Sequence, residues 1–295
     1  MKASSIIEFR NPISKYQNDF DGGQPSDHQI ITNEFIHKSI RILENYQVIQ
    51  SLSHTDKSTL IQHLKIRKYY HNQMIYNQND PCTDINILLE GALKLGWNTS
   101  QGKYHTDIFV PSGTLINIVP IVTGQPLLHD HIAQGRTVIA NLPGQLFMDV
   151  IRNNADALFM VLKLICVRTQ LNREQNFIYS TETLQTRLAK KLVFLVDYHS
   201  YQDKDKILLN LKLSQENLAE LLQTSRQSIN KELAALSNQH IIEVKYNQIF
   251  ILDFEKLSDI AQTHQLHTAL LHKHSKAKLL PSYLNLSGNL GVRSA

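Results

Sequence analysis

Cysteine is scarce in this chain: its 295 residues include two, Cys82 and Cys166. Two thiols cannot build the disulfide framework of a small secreted domain, and they fall short of the four thiolates of an iron–sulfur cluster. Long apolar runs are lacking too, since none reaches the roughly 18 residues of a membrane span. The first residues, MKASSIIEFRN, have no apolar signal segment. We therefore expect a cytoplasmic protein with no membrane partner.

A large excess of one charge is also missing. The formal net charge is +4, and residues 181–254 hold nine Lys/Arg and nine Asp/Glu. Charge by itself therefore does not indicate a nucleic-acid partner, and any such prediction depends on where the charges lie. The length favours two domains, at about 150 residues each.

Residues 213–236, LSQENLAELLQTSRQSINKELAAL, predict two short helices separated by a tight break. Ser214 and Ser225 are good N-caps for the first and the second helix. On the second helix Ile229, Leu233 and Leu236 recur at i, i+4 and i+7, so that one side is predicted to be buried.

The opposite side of the second helix carries Arg226, Gln227 and Lys231, and a helix of this kind fits a DNA major groove. Arg and Lys donate to guanine, and Gln pairs with adenine. Four side chains near the two helix starts are candidate phosphate contacts: Ser214, Gln215, Ser225 and Ser228. An ordinary helical hairpin with a solvated polar face is the alternative.

A predicted β-hairpin follows, with strands at 241–244 and Ile249–Leu252 and a turn at 246–248. A hairpin behind such a helix is a wing, and Lys245 and Tyr246 are its candidate phosphate contacts. The segment LSQENLAELLQTSRQSINKELAALSNQHII resembles the winged-helix domain of the cyclic-AMP receptor protein/FNR (Crp/Fnr) family of bacterial transcription regulators.

The resemblance implies that Arg226, Gln227 and Lys231 read bases. The family often has Glu at the position of Gln227, so the target sequence is expected to differ. RNA polymerase is a further candidate partner.

From residue 67 to about 150, turn signals recur every 8–12 residues, as in an all-β barrel or sandwich. The segment 89–95, LEGALKL, matches the family's β-roll, whose strands are joined at such a glycine. The resemblance implies an α+β protein with an N-terminal cyclic-nucleotide-binding-like β-roll, a long dimerisation helix and a C-terminal winged helix-turn-helix.

We therefore expect five parts: a loosely ordered arm (1–40), a β-roll sensor (41–150), a dimerisation helix (151–181), a DNA-binding domain (182–254) and a basic, His-containing tail (255–295). Periodicity predicts helices over Ile36–Leu52, Asp56–Leu64 and Glu182–Tyr198, and a polar loop over Tyr201–Lys206.

The expected effector site departs from the family. Members that bind cyclic nucleotides carry a Gly-Glu pair for the ribose and an Arg-Ser pair for the phosphate. The matching positions here hold Asn117-Ile118 and His129-Asp130, and Asp130 would repel a phosphate. Arg136 lies on the strand after this cassette. We take Asn117, His129, Asp130 and Arg136 as candidate pocket residues, expect no use of the usual cyclic-AMP contacts, and assign no cofactor or effector.

The pair His129-x-His131 raises a rival interpretation, because cupins use such a pair with a Glu and a later His to hold a catalytic metal. Here no Glu follows at the required distance, and Pro111-x-Gly113 precedes the pair. A polar loop between strands explains the two histidines better.

Residues 149–181 have a long helical pattern. Leu158, Ile165 and Asn172 recur at seven, and a second row runs through Leu162, Thr169 and Asn176. Such rows are typical of two helices packed together, and the resemblance implies that this helix is a dimer axis. A single helix lying on its own β-roll is the alternative.

Together these patterns predict a homodimeric, cytoplasmic transcription regulator that binds a palindromic site on double-stranded DNA and has no enzyme chemistry. The alternatives are a ligand-sensing or scaffold protein that does not bind DNA and a cupin-like metal enzyme.

Overall fold

The computed structural model describes residues 6–7, 27–100, 102, 104–203 and 206–262. Its helices are α1 (Asp27–Glu44), α2 (Gln47–Gln50), α3 (His54–Gln62), α4 (Ile118–Thr123), α5 (Gly144–Arg152), α6 (Ala155–Thr181), α7 (Leu184–His199), α8 (Gln215–Leu221), α9 (Arg226–Asn238) and α10 (Phe254–Ile260). Its strands are β1 (Ile6–Ile7), β2 (Lys65–Tyr69), β3 (Met74–Tyr76), β4 (Asp84–Asn98), β5 (Tyr104–Pro111), β6 (Leu115–Ile116), β7 (Asp130–Pro143), β8 (Ser200–Asp203), β9 (Lys206–Leu209), β10 (Ile242–Lys245) and β11 (Gln248–Ile251).

The N-terminal half is built on an antiparallel sheet of order β1-β2-β7-β4-β5, with β3 paired to β7 and β6 to β4. The long strands β4 and β7 pair from Asp84↔Pro143 to Gly96↔Asp130. Both strands are rich in β-branched and leucine side chains, which suit a sheet that packs on other elements. The α+β class, with an N-terminal sheet domain of the cyclic-nucleotide-binding type, is confirmed.

Gly91 lets β4 continue through a sharp irregularity in its pairing with β7. Its φ is +76°, in the left-handed region that favours glycine. A Cβ at this position would lie 2.3 Å from the carbonyl oxygen of Arg136. The predicted glycine junction is therefore required by both backbone angle and space.

The helix α1 begins at Asp27, inside the segment predicted to be a loosely ordered arm. Phe35 and Ile36 on this helix are buried in the core of the sheet domain, which gives the helix a reason to form. The prediction of an arm is therefore wrong for residues 27–40. The predicted helix Ile36–Leu52 is divided between the end of α1 and the short helix α2.

The helical pattern from 149 to 181 is likewise two helices, α5 and α6. They meet at Asn153-Asn154, and the Asn154 side-chain oxygen accepts a hydrogen bond of 2.9 Å from the Ala157 amide. This local capping bond competes with a continuous helix. From α6, Arg168 donates a 2.7 Å hydrogen bond to the Leu115 carbonyl on β6, so the long helix is tied to the sheet domain.

The C-terminal domain packs α7, α8, α9 and α10 with a sheet of order β10-β11-β9-β8. The strand β8 occupies part of the segment Tyr201–Lys206, and its pairing with β9 makes the loop prediction wrong there. Leu257 and Ala261 are fully buried, so α10 packs within this domain beyond the suggested boundary at residue 254. The rest of the tail, after residue 262, lies outside the described residues.

The strand β5 joins the two domains. Phe109 on β5 is buried in the same apolar cluster as the helices of the C-terminal domain. The Phe109 carbonyl lies 3.3 Å from Nε2 of His199, at the end of α7. Glu220 on α8 accepts hydrogen bonds from the Thr106 amide, at 3.2 Å, and from the Thr106 hydroxyl. Both apolar and polar contacts thus hold the C-terminal domain against the sheet.

In the described parts of the chain, no helix combines the length and the apolar character that crossing a bilayer requires.

We expect Gly91→Ala to lower the free energy of unfolding by about 2–4 kcal/mol, because it adds a close contact with backbone to the cost of a left-handed alanine. Gly135→Ala is the matched control: its φ is +75°, yet nothing lies within 4 Å of the added Cβ. The control should lose only about 1–2 kcal/mol. Urea unfolding of both variants measures the difference, and equal losses would contradict the close-contact explanation.

Candidate nucleic-acid interface

The first helix of the predicted DNA-reading pair starts at a capping box. The Ser214 hydroxyl accepts from the Asn217 amide at 3.1 Å, and the Asn217 side-chain oxygen accepts from the Ser214 amide at 3.2 Å. These reciprocal bonds satisfy amides that the helix leaves unpaired. The first of the four predicted phosphate contacts therefore also fixes where α8 begins.

A tight turn joins α8 to α9. Gln223 has a φ of +51°, and the Thr224 amide donates to the Ala219 carbonyl at 2.9 Å. Ser225 then caps α9 by accepting from the Ser228 amide at 3.0 Å, and the two serine hydroxyls lie 2.8 Å apart. The caps predicted at Ser214 and Ser225 are confirmed.

One side of α9 is buried and the other is open. The buried side consists of Ile229, Leu233 and Leu236. Arg226, Gln227 and Lys231 are exposed, which is the placement that base reading requires. A 13-residue helix that buries only this apolar row leaves its first two turns free to approach a ligand.

A hydrogen-bonded network that the sequence did not reveal links the two helices. Gln215 on α8 donates to the Asn230 side-chain oxygen at 2.9 Å and accepts from Nε of Arg226 at 3.4 Å. Asn230 is exposed and lies four residues after Arg226, on the same side of α9. The four-residue spacing from Arg226 is the sequence feature that could have indicated Asn230 as part of this surface. Asn230 joins the candidate base-reading surface, and Gln215 orients two of its members.

The wing is a hairpin of β10 and β11 closed by Tyr246 and Asn247, with φ of +50° and +63°. Two positive φ values are typical of the tight type I′ turn. Tyr246 is 97% exposed, and the ammonium of the exposed Lys245 lies 2.6 Å from Glu243. Hydrogen bonds from Lys245 and then from Lys206 hold the pKa of the Glu243 carboxyl below its usual range. The wing tip projects from the domain beside this charge cluster.

The four predicted effector-pocket residues lie in different environments. Asn117 precedes α4 with a φ of +70°. Asp130 is buried and accepts from the Gln78 amide at 2.7 Å. His129 lies 3.6 Å from the Asp107 carboxylate, and Arg136 is exposed where β7 passes Gly91. Asp130 is thus hydrogen-bonded within the protein, and so is Asn117, through the side chain of Asn86.

A polar cluster centred on Tyr76 lies within the sheet domain, and sequence reasoning missed it. The Tyr76 hydroxyl accepts from the side-chain amides of Asn86 and Asn141 at 3.1 and 3.0 Å. Asn117 donates to the Asn86 side-chain oxygen at 2.6 Å. The ring of His131 meets the Tyr76 ring edge-on, with centroids 5.4 Å apart. The sequence feature that could have indicated this cluster is an asparagine within each of the strands β4 and β7.

The histidines considered for a cupin-type metal centre, His129 and His131, lie in different environments. His131 is buried against Tyr76, and burial, followed by the charge of His129, lowers its pKa to about 4. Through the part of the chain that the structure describes, His, Cys, Asp and Glu side chains form no group of three suited to a metal ion.

Two family models match this chain. The cyclic nucleotide-binding domain matches residues 66–154, and the Crp-like helix-turn-helix domain matches residues 186–260. The first covers the β-roll and α5, and the second runs from α7 through the wing to α10.

Two individual proteins and one solved structure are also similar to this chain. The global nitrogen regulator of Synechococcus elongatus is 25% identical over 202 residues, which are 66% of this chain and 89% of that protein. The anaerobic regulatory protein of Bacillus subtilis is 21% identical over 233 residues, 78% of this chain and 88% of the relative. A crystal structure described as a putative Crp/Fnr-family regulator from Eubacterium rectale superposes with a TM-score of 0.60 at 16% identity, covering 74% of this chain and 99% of that one.

Ser225 allows the cap of α9 to be separated from its predicted phosphate contact. We expect Ser225→Ala to lower the free energy of unfolding by about 1 kcal/mol and Ser225→Asp to change it little, because Asp caps as well as Ser. A carboxylate beside a phosphate is repelled, so Ser225→Asp should bind DNA more weakly than wild type. Chemical unfolding and fluorescence anisotropy measure the two effects. Wild-type DNA affinity in the stable Asp variant would exclude the contact.

Proposed function

The chain belongs to the Crp/Fnr family of transcription regulators, and from that premise we propose that it acts as a homodimer whose two α9 helices read a palindromic DNA site. The observation that carries this proposal is the surface of α9. Arg226, Gln227 and Lys231 are exposed there, while Ile229 and Leu233 anchor the opposite side in the domain core.

The side chains on this surface have complementary chemistry. Arg226 and Lys231 supply cationic donors for guanine O6 and N7, while Gln227 and Asn230 carry amides that pair with adenine. Gln215 contacts both Arg226 and Asn230, which restricts the geometry in which they meet a base. We propose that these four α9 residues read base edges.

Phosphate contacts would fix the orientation of α9. The starts of α8 and α9, at Ser214 and Ser225, offer hydroxyls and helix amides to the backbone on either side of the groove. On the wing, Lys245 and Tyr246 are exposed and positioned at the hairpin turn. Because the domain has little net charge, we propose that these local contacts hold DNA.

The surface of α6 supports the homodimer. Phe159 and Leu162 are 60% and 57% exposed, and Cys166 and Thr169 are exposed as well. Their spacing of three, four and three residues is the heptad seam of a two-helix interface. An exposed apolar row on a long helix favours a second copy as its partner.

The proposed row differs from the seam predicted from the sequence. Leu158, Leu162 and Thr169 are exposed, but Ile165 packs against the core of its own sheet domain. Because Ile165 already buries part of its surface against that core, we propose Phe159 and Cys166 for the seam instead. The side chains of Asn172 and Asn176 lie outside the described residues.

A two-fold dimer would set the two α9 helices about one duplex turn apart, roughly 34 Å, and so match a palindrome. We place this activity in the cytoplasm, with RNA polymerase as a candidate partner at the promoter. The alternative of a sensor or scaffold that does not bind DNA differs in one observable, sequence-selective DNA binding.

The effector is unassigned, and the sheet domain supports departure from the usual cyclic-AMP contacts. Asn117 and Asp130 stand near the ribose and phosphate positions, and both are hydrogen-bonded within the protein. A buried carboxylate also opposes a phosphate. We propose that any effector of the β-roll is recognised by other chemistry.

We expect Arg226→Ala and Lys231→Ala each to weaken binding of the preferred duplex by about 1–3 kcal/mol. The duplex is obtained by selection from random sequences with the wild-type protein, and affinity is measured by fluorescence anisotropy at fixed salt. Lys256→Ala is the control, since it removes a charge of the same sign from α10 and should change affinity little. Equal losses in the control, or no selected sequence at all, would refute base reading by α9.

A bifunctional maleimide should link two wild-type chains through Cys166, because a seam residue on a two-fold axis lies opposite its own copy. The chain has only one other cysteine, the partly buried Cys82. Cys82→Ser should therefore cross-link as wild type does, and Cys166→Ser should not. Linkage that persists in Cys166→Ser, with none in Cys82→Ser, would place the dimer contact elsewhere.

Calorimetry with cyclic AMP tests the effector proposal. We expect no binding heat at micromolar ligand, since no guanidinium stands at the expected phosphate position and Asp130 disfavours an anion. Micromolar binding that is abolished by Asn117→Ala or Asp130→Ala would show that the usual site is used after all.

A further inference from the structure

A cleft of about 600 Å³ lies between the two domains, and its lining includes no residue of the Tyr76 cluster or of α9. One wall is the hairpin formed by β4 and β5, and the other is the end of α8 with the turn that follows it. Its lining includes Trp97, Tyr104, His105, Glu220, Gln223 and Thr224. A volume of this size suits a small-molecule ligand.

The hairpin wall is aromatic. The Trp97 ring lies 4.7 Å from the His105 ring and 5.4 Å from the His129 ring, between centroids. The Lys94 ammonium lies 4.8 Å from the centroid of the Tyr104 ring. Lys94 thus occupies the Tyr104 ring, which leaves the Trp97 indole as the candidate contact for a ligand cation, and indole is the strongest of the aromatic side chains in such contacts.

The helix wall supplies a carboxylate. Glu220 is partly exposed, and one of its oxygens, Oε2, accepts both bonds from Thr106. The same interaction holds α8 against β5, so the charge of Glu220 is fixed in position at the cleft. A fixed carboxylate opposite aromatic rings favours a positive ligand and disfavours an anion.

The Tyr104 hydroxyl lies against the backbone of β4, where a Cβ added to Gly96 would be 2.9 Å from it. This hydroxyl is buried, and no hydrogen-bond partner for it occurs among the residues that the structure describes. Burial, and then the nearby charges of Asp130 and Glu220, raise the pKa of this phenol. Because this hydroxyl is closed off from solvent, Tyr104 lines the cleft through its ring.

We propose that this cleft binds a small organic cation, such as a quaternary ammonium or a guanidinium, through the Trp97 ring and the Glu220 carboxylate. Since the walls come from both domains, an occupant favours the arrangement in which α8 remains against β5. The site depends neither on DNA binding nor on the β-roll interior.

Trp97 provides the readout, because it is the only tryptophan of the chain. Full-length protein is titrated with choline and agmatine while tryptophan fluorescence is recorded. The controls are 3,3-dimethylbutan-1-ol, a neutral molecule with the shape of choline, and butyrate. We expect a saturable change with each cation and at least about tenfold weaker binding of the neutral molecule, because it lacks the cation–π and charge attraction. Butyrate should give no saturable change.

Glu220→Gln tests the carboxylate while keeping an oxygen that accepts from Thr106. We expect about tenfold weaker cation binding in this variant, and unchanged binding in Glu216→Gln, which removes a carboxylate from α8 outside the cleft lining. Circular dichroism confirms that both variants fold. The titrations of wild-type protein test the proposal even if either variant fails to fold.

Three results would overturn the proposal: no saturable response to either cation, equal binding of 3,3-dimethylbutan-1-ol and choline, or identical cation affinity in Glu220→Gln and Glu216→Gln. None of these results bears on sequence-selective DNA binding, which is measured separately.

Discussion

Burial of a single apolar row on α9 is the constraint on which the functional surface depends. Ile229, Leu233 and Leu236 lie in the core of the C-terminal domain, and their removal from water fixes the rotation of the helix. Arg226 and Lys231 then point outward because of the helical repeat. The caps at Ser214 and Ser225 fix where the two helices begin, so the chemistry of this surface follows from packing on its opposite side.

The second constraint is the contact across β5, through which the sheet domain and the helix-turn-helix domain touch within one chain. Phe109 lies in the apolar core of the C-terminal domain, while Thr106 donates to the Glu220 carboxylate on α8. Any shift of β5 must therefore be accommodated by α8, because packed interiors do not deform continuously. The same contact forms one boundary of the cleft lined by Trp97.

The interior of the sheet domain contains a polar cluster centred on Tyr76. The Tyr76 hydroxyl accepts from the amides of Asn86 and Asn141, so this interior contains neutral polar groups. Asn141 Oδ1 and His131 Nδ1 are buried there, and neither has a hydrogen-bond partner among the described residues. The fold is shared with cyclic-nucleotide-binding domains, yet function resides in the residues of a site and not in the fold itself.

Local patterns in the sequence determined the helix-turn-helix and the wing. Each cap, the apolar row of α9 and the wing hairpin involve residues within a few positions of one another, so their interactions can be read from spacing. The base-reading candidate Asn230 was missed, although its spacing from Arg226 was visible, because an amide on a helix surface has many uses.

Tertiary structure alone decided the remainder. The heptad spacing on α6 fits more than one row, and only packing against the sheet domain selected Ile165 for burial and left Cys166 exposed. The Tyr76 cluster and the Trp97 cleft join residues that are far apart in the chain, as does the pairing of β11 with β9. Such contacts depend on strand register and on how the domains dock. Both are set by burial summed over the whole molecule, which no local pattern in the sequence records.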